Sequence, residues 1–521
     1  MLTPRIDNLL SRDLRAPERL KAANSEPTIS VHRITNKAAV LYEKLRYLVD
    51  YKDENTIRRS AIERILRRAI VIENRADVGT LLLRELVSAG YLPNETVPER
   101  EAAVLSTFVD AYRSAFPTLS QKITMTETEK VLLSLMASEV EAYLYPSLVN
   151  DAVADAFFQT IKERVRCVGA ISADELDMQL YIASRRALLR EDDEAVAYAL
   201  WCRTLGTVPG SLDTSKAVEM SQDVPGTIAR IRLSLRHRIG PMIMGKIKND
   251  AICFTVIAEL IRLSPANPKA FFDDQKVLHD QAEAFLSSKY KIENSRVMQS
   301  SLRAVAYIFC TKILVALALE VPYDLYISGV FDYVPLAINI IFHPFLLFLI
   351  TRNIKLLGPE NTKSVVSRID AIVYGGEAKS IPLKYKASAG GLNLFFGLLY
   401  GMMFLVSFGV IVWALASLGF NPVGILLFLL FLALVSYFGL RIRYNAQRWR
   451  FAVAEDRVLF LIWSFLTLPV IRAGRWLTEK FSTVNIFVFV LDVIIEAPFK
   501  LALKLSDLFI LFLKDKKEET Y

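Results

Sequence analysis

The sequence predicts an all-α membrane protein: a large helical cytoplasmic domain, then a polytopic α-helical membrane domain of about four spans, then an amphipathic interfacial helix. Three observations carry this prediction. The chain has 521 residues and is 53% hydrophobic, more apolar than an ordinary soluble protein. Its long uncharged stretches lie almost entirely beyond residue 300, while before that point charges recur every few positions. Helical periodicity marks nearly every segment, and sustained strand alternation is missing.

Residues 1–36 are polar and punctuated by proline, which predicts a poorly ordered tail. The segment also lacks an apolar h-region, so no cleavable secretory signal is expected. Residues 37–209 read as a helical cytoplasmic domain. In its first strong helix the apolar positions Ala61, Ile62, Ile65, Leu66, Ala69 and Ile70 share a face, with Arg64, Arg67 and Arg68 away from it. Thr126 with Glu129, and Ser172 with Glu175, have the spacing of capping boxes and predict helix starts. The polar stretch 210–226 is the expected linker, and 227–300 a second helical block.

Residues 301–441 form the predicted transmembrane domain, with spans near 304–320, 333–351, 391–418 and 423–440. Gly419, Phe420, Asn421 and Pro422 supply turn chemistry between the last two. Residues 352–390 read as a cytoplasmic loop, flexible through its glycines at 374–391, which lack any phosphate-cradling fingerprint. The connections set the orientation. Glu320, Asp324 and Asp332 occupy one connection without a cation, whereas Arg352, Lys355, Lys363, Arg368, Lys379, Lys384 and Lys386 crowd 352–390. Basic connections stay in the cytoplasm. The expected topology is therefore multi-pass with both termini cytoplasmic, and the expected location a bacterial inner membrane.

Residues 442–521 read as membrane-associated, with interfacial helices at 458–471 and 484–514. In the second, Asp492, Glu496, Lys500, Lys504 and Asp507 fall on one stripe at about 100° per residue, and Pro498 predicts a kink. A narrow charged stripe beside a broad apolar face suits the interface, since spanning would bury these charges at a few kcal/mol each.

The residues that carry chemistry are few. Asp273, Asp274, His279 and Asp280 combine carboxylates with an imidazole and are candidate metal ligands, although an ordinary exposed helix is the favoured reading and no metal site is expected. The acidic run Glu191, Asp192, Asp193 and Glu194 reads as helix-dipole and capping chemistry. The Arg-rich helix near 58–68 lacks a nucleic-acid reader motif, so specific nucleic-acid binding is not expected despite the net charge of +8. Arg441, Arg443, Arg448, Trp449 and Arg450 follow a span and, with Lys500 and Lys504, suit anionic lipid headgroups. Within the spans Lys312, Asn339 and His343 are the polar residues, and intramembrane ionisable groups point to function by default. Two bland readings compete: Lys312 snorkels, and His343 bonds a carbonyl freed by Pro344. Cys167, Cys202, Cys253 and Cys310 are widely spaced, which predicts reduced thiols rather than a zinc site.

No catalytic set or cofactor fingerprint emerges. Much helical surface without such a set favours a membrane-anchored scaffold or adaptor for cytoplasmic protein partners, and a homo-oligomer is compatible with that expectation. The alternatives are a transporter or channel component using Lys312 and His343, and a membrane-associated metal-dependent hydrolase using the Asp273–Asp280 cluster.

Overall fold

The computed structural model describes residues 2–15, 26–31, 54–115, 126–169, 171–213, 215, 224–329, 332–354, 357–376, 380–385, 390–451 and 458–483. The expected helix at 484–514, including Lys500 and Lys504, lies outside the described residues.

The chain is all-α with a minimal sheet. Helix α1 spans Pro4–Ser11, α2 Glu54–Arg67, α3 Val78–Ser88, α4 Arg100–Ala115, α5 Glu127–Leu144 and α6 Leu148–Arg164. Strand β1, Val165–Gly169, is followed by α7 at Ala173–Leu188, α8 at Asp193–Leu205, α9 at Val224–Leu235 and α10 at Ile239–Leu263. The long α11 begins at Gln275–Val315 and continues through wider helical turns to Ser328. Then come α12 at Tyr333–Arg352, α13 at Pro359–Asp370, β2 at Ile381–Tyr385, α14 at Gly390–Ser417, α15 at Pro422–Ala446 and α16 at Val458–Thr483.

Local chemistry explains the helix starts. Thr126 and Glu129 form the full reciprocal capping box of α5, and Ser172 accepts from the Glu175 amide at 3.2 Å. Asp192 caps α8 through the Ala195 amide at 2.9 Å, which gives the acidic run its expected capping role. The apolar face of α2 is buried as its periodicity requires, with Ile62, Leu66, Ala69 and Ile70 inaccessible. Three arginines of α2 and the turn after it are engaged internally: Arg59 pairs with Asp192 and Glu194, Arg68 with Glu85, and Arg58 lies 4.5 Å over the Tyr145 ring, while Arg67 is exposed.

Packing departs from the expected division at 210–226. One core gathers α2 to α5 with α8, α9 and Ile182 of α7. The other gathers α1, α6, α7, α10, the first turns of α11, α13 and β2. The N-terminal segment is therefore not simply a tail. Ile6, Leu9 and Leu10 of α1 are buried in the second core, and the Thr3 amide donates to the Val373 carbonyl at 2.7 Å. The apolar spacing inside an otherwise polar stretch supplies this contact.

Residues 352–390 are also more than a loop. Val365, Val366 and Ile369 of α13 are buried in the second core, and β2 pairs in parallel with β1, Val165 opposite Ile381 through Gly169 opposite Tyr385. Five-residue strands give too little alternation to stand out in sequence. Asp250 of α10, almost fully buried, accepts from Arg164 of α6 at 2.6 Å and Arg368 of α13 at 2.7 Å.

Four helices are long and apolar enough to cross a membrane: Gln275–Ile327, Tyr333–Arg352, Gly397–Ser417 and Pro422–Ala446. The first does not stop at 320. It continues to Ser328 and ends at Gly329, whose φ of 67° favours glycine. Asp332 and Asn421 cap α12 and α15 through the Val334 and Gly424 amides at 3.0 and 2.5 Å. Helix α16 is a single 26-residue helix rather than a short interfacial piece. It approaches α15 closely at Gly474, where an added Cβ would sit 2.0 Å from the Ala433 carbonyl oxygen.

Two outcomes are expected. Asp250→Asn leaves two buried guanidinium groups without their anion and destabilises the full chain by about 3 kcal/mol or more, read by chemical unfolding in detergent. Gly474→Val separates α15 from α16 and lowers the thermal midpoint in detergent, whereas Gly397→Ala, with open space around it, leaves that midpoint unchanged.

Candidate functional site

The spans bring the intramembrane polar residues together. Lys312 and Glu320 come from α11, Asn339 and His343 from α12, and the carbonyls of Gly424 and Phe428 from α15. Lys312, Asn339 and His343 are wholly inaccessible, and Glu320 is 3% exposed. Each charge in an apolar bundle is expensive unless it is paired or hydrogen-bonded, so their convergence is informative.

The Asn339 Nδ2 donates to Glu320 Oε1 and, at 3.5 Å, faces the Gly424 carbonyl. His343 Nδ1 lies 3.1 Å from the Asn339 carbonyl, and its Nε2 lies 3.0 Å from the Phe428 carbonyl. A neutral imidazole carries one N–H and can donate to only one of these two acceptors. Donation to both needs the second proton. The His343 ring is packed between Phe428 and Phe431, at 4.6 and 5.9 Å between centroids.

Both bland readings can now be compared with the geometry. Pro344 removes the amide that would otherwise bond the Ile340 carbonyl, yet His343 contacts Asn339 and Phe428 instead. Lys312 does not snorkel. Its ammonium lies 4.4 Å from the centre of the Phe431 ring, facing the bundle. Among the described residues, Lys312 Nζ, Glu320 Oε2 and Asn339 Oδ1 have no hydrogen-bond partner. The site thus holds an unused donor and two unused acceptors away from water.

Toward the end of the bundle remote from the helical domain, polarity continues. Asn421 Nδ2 donates to Asp324 Oδ1 at 2.5 Å, and Glu320, Asp324, Pro335, Leu336, Phe420, Asn421 and Gly424 line a small gap. An added Cβ at Gly424 would lie 3.2 Å from Glu320 Oε1 and from Asn421 Oδ1, so glycine there makes room for both side chains.

Sequence reading named Lys312, Asn339 and His343 but left Glu320 and Asp324 in an external connection. Both carboxylates are instead on the extended α11, because its helix passes Pro322 without a break. The available signal was spacing: Asp324 stands one turn beyond Glu320, and wider helical turns on both sides of Pro322 carry the helix past it.

The other candidates do not converge. Asp274 caps α11 through the Lys276 amide at 2.8 Å, His279 Nε2 contacts Asp370 Oδ2 at 2.5 Å, and Asp273 and Asp280 are exposed. Among the described residues, no three His, Cys, Asp or Glu side chains are grouped to hold a metal ion. Of the expected headgroup residues, Arg441 and Arg448 are exposed and Arg443 and Arg450 half-buried. Trp449 is the exception: it is buried in the second core, 6.2 Å from Phe285, because the chain turns back onto the helical domain there. Burial pushes the Cys202 thiol up to about 11 and the Cys253 thiol higher as well, in line with unreactive reduced cysteines.

No protein-family model, curated protein or solved structure matches this chain.

The cluster makes a direct energetic prediction. Lys312→Met strands the Glu320 carboxylate in the bundle and lowers the thermal midpoint in detergent. Adding Glu320→Gln recovers part of the loss. Strictly additive losses would show that the two charges do not interact.

Proposed function

We propose that the chain is a transporter or channel component whose membrane bundle handles a small cation, a proton or a monovalent metal ion. The observation that carries this reading is the burial of Lys312, Glu320, Asn339 and His343 between α11, α12 and α15, with an unused donor and unused acceptors among them. His343 can take up and release a proton, its charged ring donating to both carbonyls, and a cation can be neutralised by Glu320 with Asp324 behind it.

The scaffold reading would use the helical domain's surface to hold cytoplasmic protein partners. It leaves the charges unexplained, because an anchor needs only apolar spans and every buried charge weakens it. The basic connections support placing the helical domain and both termini in the cytoplasm, within a bacterial inner membrane. In that arrangement Asp324 and Asn421 lie toward the external face, and the polar path runs inward through Glu320 and Asn339 to His343 and Lys312.

The test is flux in proteoliposomes under an imposed sodium or proton gradient. Cation uptake above empty vesicles is expected, reduced at least tenfold in Glu320→Gln and in His343→Phe but not in Cys310→Ser. Vesicles that show no cation movement under either gradient would overturn the reading.

A further inference from the structure

The gap beside Glu320 has the chemistry of a small cation site. It lies where α11 and the first turns of α12 and α15 meet, and its volume of about 10 Å³ is the room of a single water. Its polar wall is Glu320, Asp324, Asn421 and Gly424, with Pro335 and Phe420 closing the apolar side. These side chains offer carboxylate and amide oxygens, the donors that hard cations take. Glu320 is 3% exposed, and Asn339 donates to its Oε1. Among the described residues Glu320 Oε2 accepts no hydrogen bond, and neither does Oδ1 of the inaccessible Asn339 behind it. Buried acceptors left in this condition are costly, and a cation relieves them.

Charge decides which cation fits. Glu320 and Asp324 against Lys312 leave one negative charge in excess beside a neutral His343. A singly charged ion balances that excess, whereas a divalent ion would leave an uncompensated positive charge in the bundle. Lys312 stands over the Phe431 ring, seven residues beyond Gly424 on α15, so it lies about 10 Å deeper than the gap at 1.5 Å per residue. At that separation and an effective dielectric of about 20, its repulsion costs roughly tenfold in affinity for each unit of charge on the ion. A divalent ion therefore loses roughly a hundredfold. The ligands agree with the charge: among the described residues no three His, Cys, Asp or Glu side chains gather, while calcium draws on several carboxylates.

We propose that this gap binds one largely dehydrated alkali-metal cation on Glu320, with Asp324 and Asn421 beside it, and that Lys312 sets the preference for a single charge. The inference rests on the transport reading and names its cation as a metal ion rather than a proton. Lys312 determines specificity from a distance, through its charge alone.

The full chain, purified in mild detergent and choline chloride, is titrated calorimetrically with sodium, potassium and calcium chloride while its thermal midpoint is followed. Wild type is expected to bind one sodium or potassium ion per chain at least tenfold more tightly than calcium, and that ion raises the midpoint. Glu320→Gln is expected to weaken alkali binding at least tenfold, and Cys310→Ser to leave it unchanged. Lys312→Met is expected to shift the preference at least tenfold toward calcium, which then restores part of the variant's lost midpoint. The wild-type measurements decide the matter should Lys312→Met not fold. No alkali binding to wild type, calcium bound as tightly, full affinity in Glu320→Gln, or an unchanged preference in folded Lys312→Met would each overturn the proposal. Alkali binding without flux in proteoliposomes would keep the site and remove transport. Proton flux without alkali binding would keep transport and remove the site.

Discussion

Asp250 joins the two halves of this molecule. It sits in α10, buried, with one oxygen on Arg164 of α6 and the other on Arg368 of α13. Because α13 belongs to the connection between two membrane spans, this carboxylate ties that connection into the core of the helical domain. The parallel pairing of β1 with β2 reinforces the same join, as does Asn361, which donates to the Trp449 carbonyl at 2.8 Å and accepts from the Phe451 amide at 2.7 Å. A buried anion shared by two cations is strongly position-specific, since displacement of any one member exposes the others to desolvation without compensation.

The long α11 makes the join continuous. Its first turns contribute Leu278, Ala282, Leu286 and Tyr290 to the core of the helical domain, and its later turns contribute Lys312 and Glu320 to the bundle. A change at the buried charges therefore acts on the same rigid rod that the helical domain packs against. Within the bundle, the polar residues face inward because hydrocarbon offers no other partner, and the outward faces of α12 and α14 remain apolar.

Much of this architecture was legible from local pattern. Long uncharged runs marked the spans, Gly419 to Pro422 marked the turn before α15, and Thr126 with Glu129 marked a helix start. Each rests on chemistry within a few residues: hydrocarbon solubility, backbone conformation or capping. The candidate site was half legible, because Lys312, Asn339 and His343 interrupt apolar runs and so announce themselves. Glu320 and Asp324 did not, being read as the acidic connection that their charges resemble.

By itself the sequence determined the helical class, the number of spans and the apolar faces, because all three follow from periodicity and composition along the chain. The tertiary structure alone decided that α1 belongs to the core, that α13 and β2 pack into the core of the helical domain, and that Trp449 turns away from lipid. It also decided that Glu320 meets Asn339. These outcomes depend on contacts between residues distant in sequence, where burial cost and charge compensation are settled by which surfaces come together rather than by any local pattern.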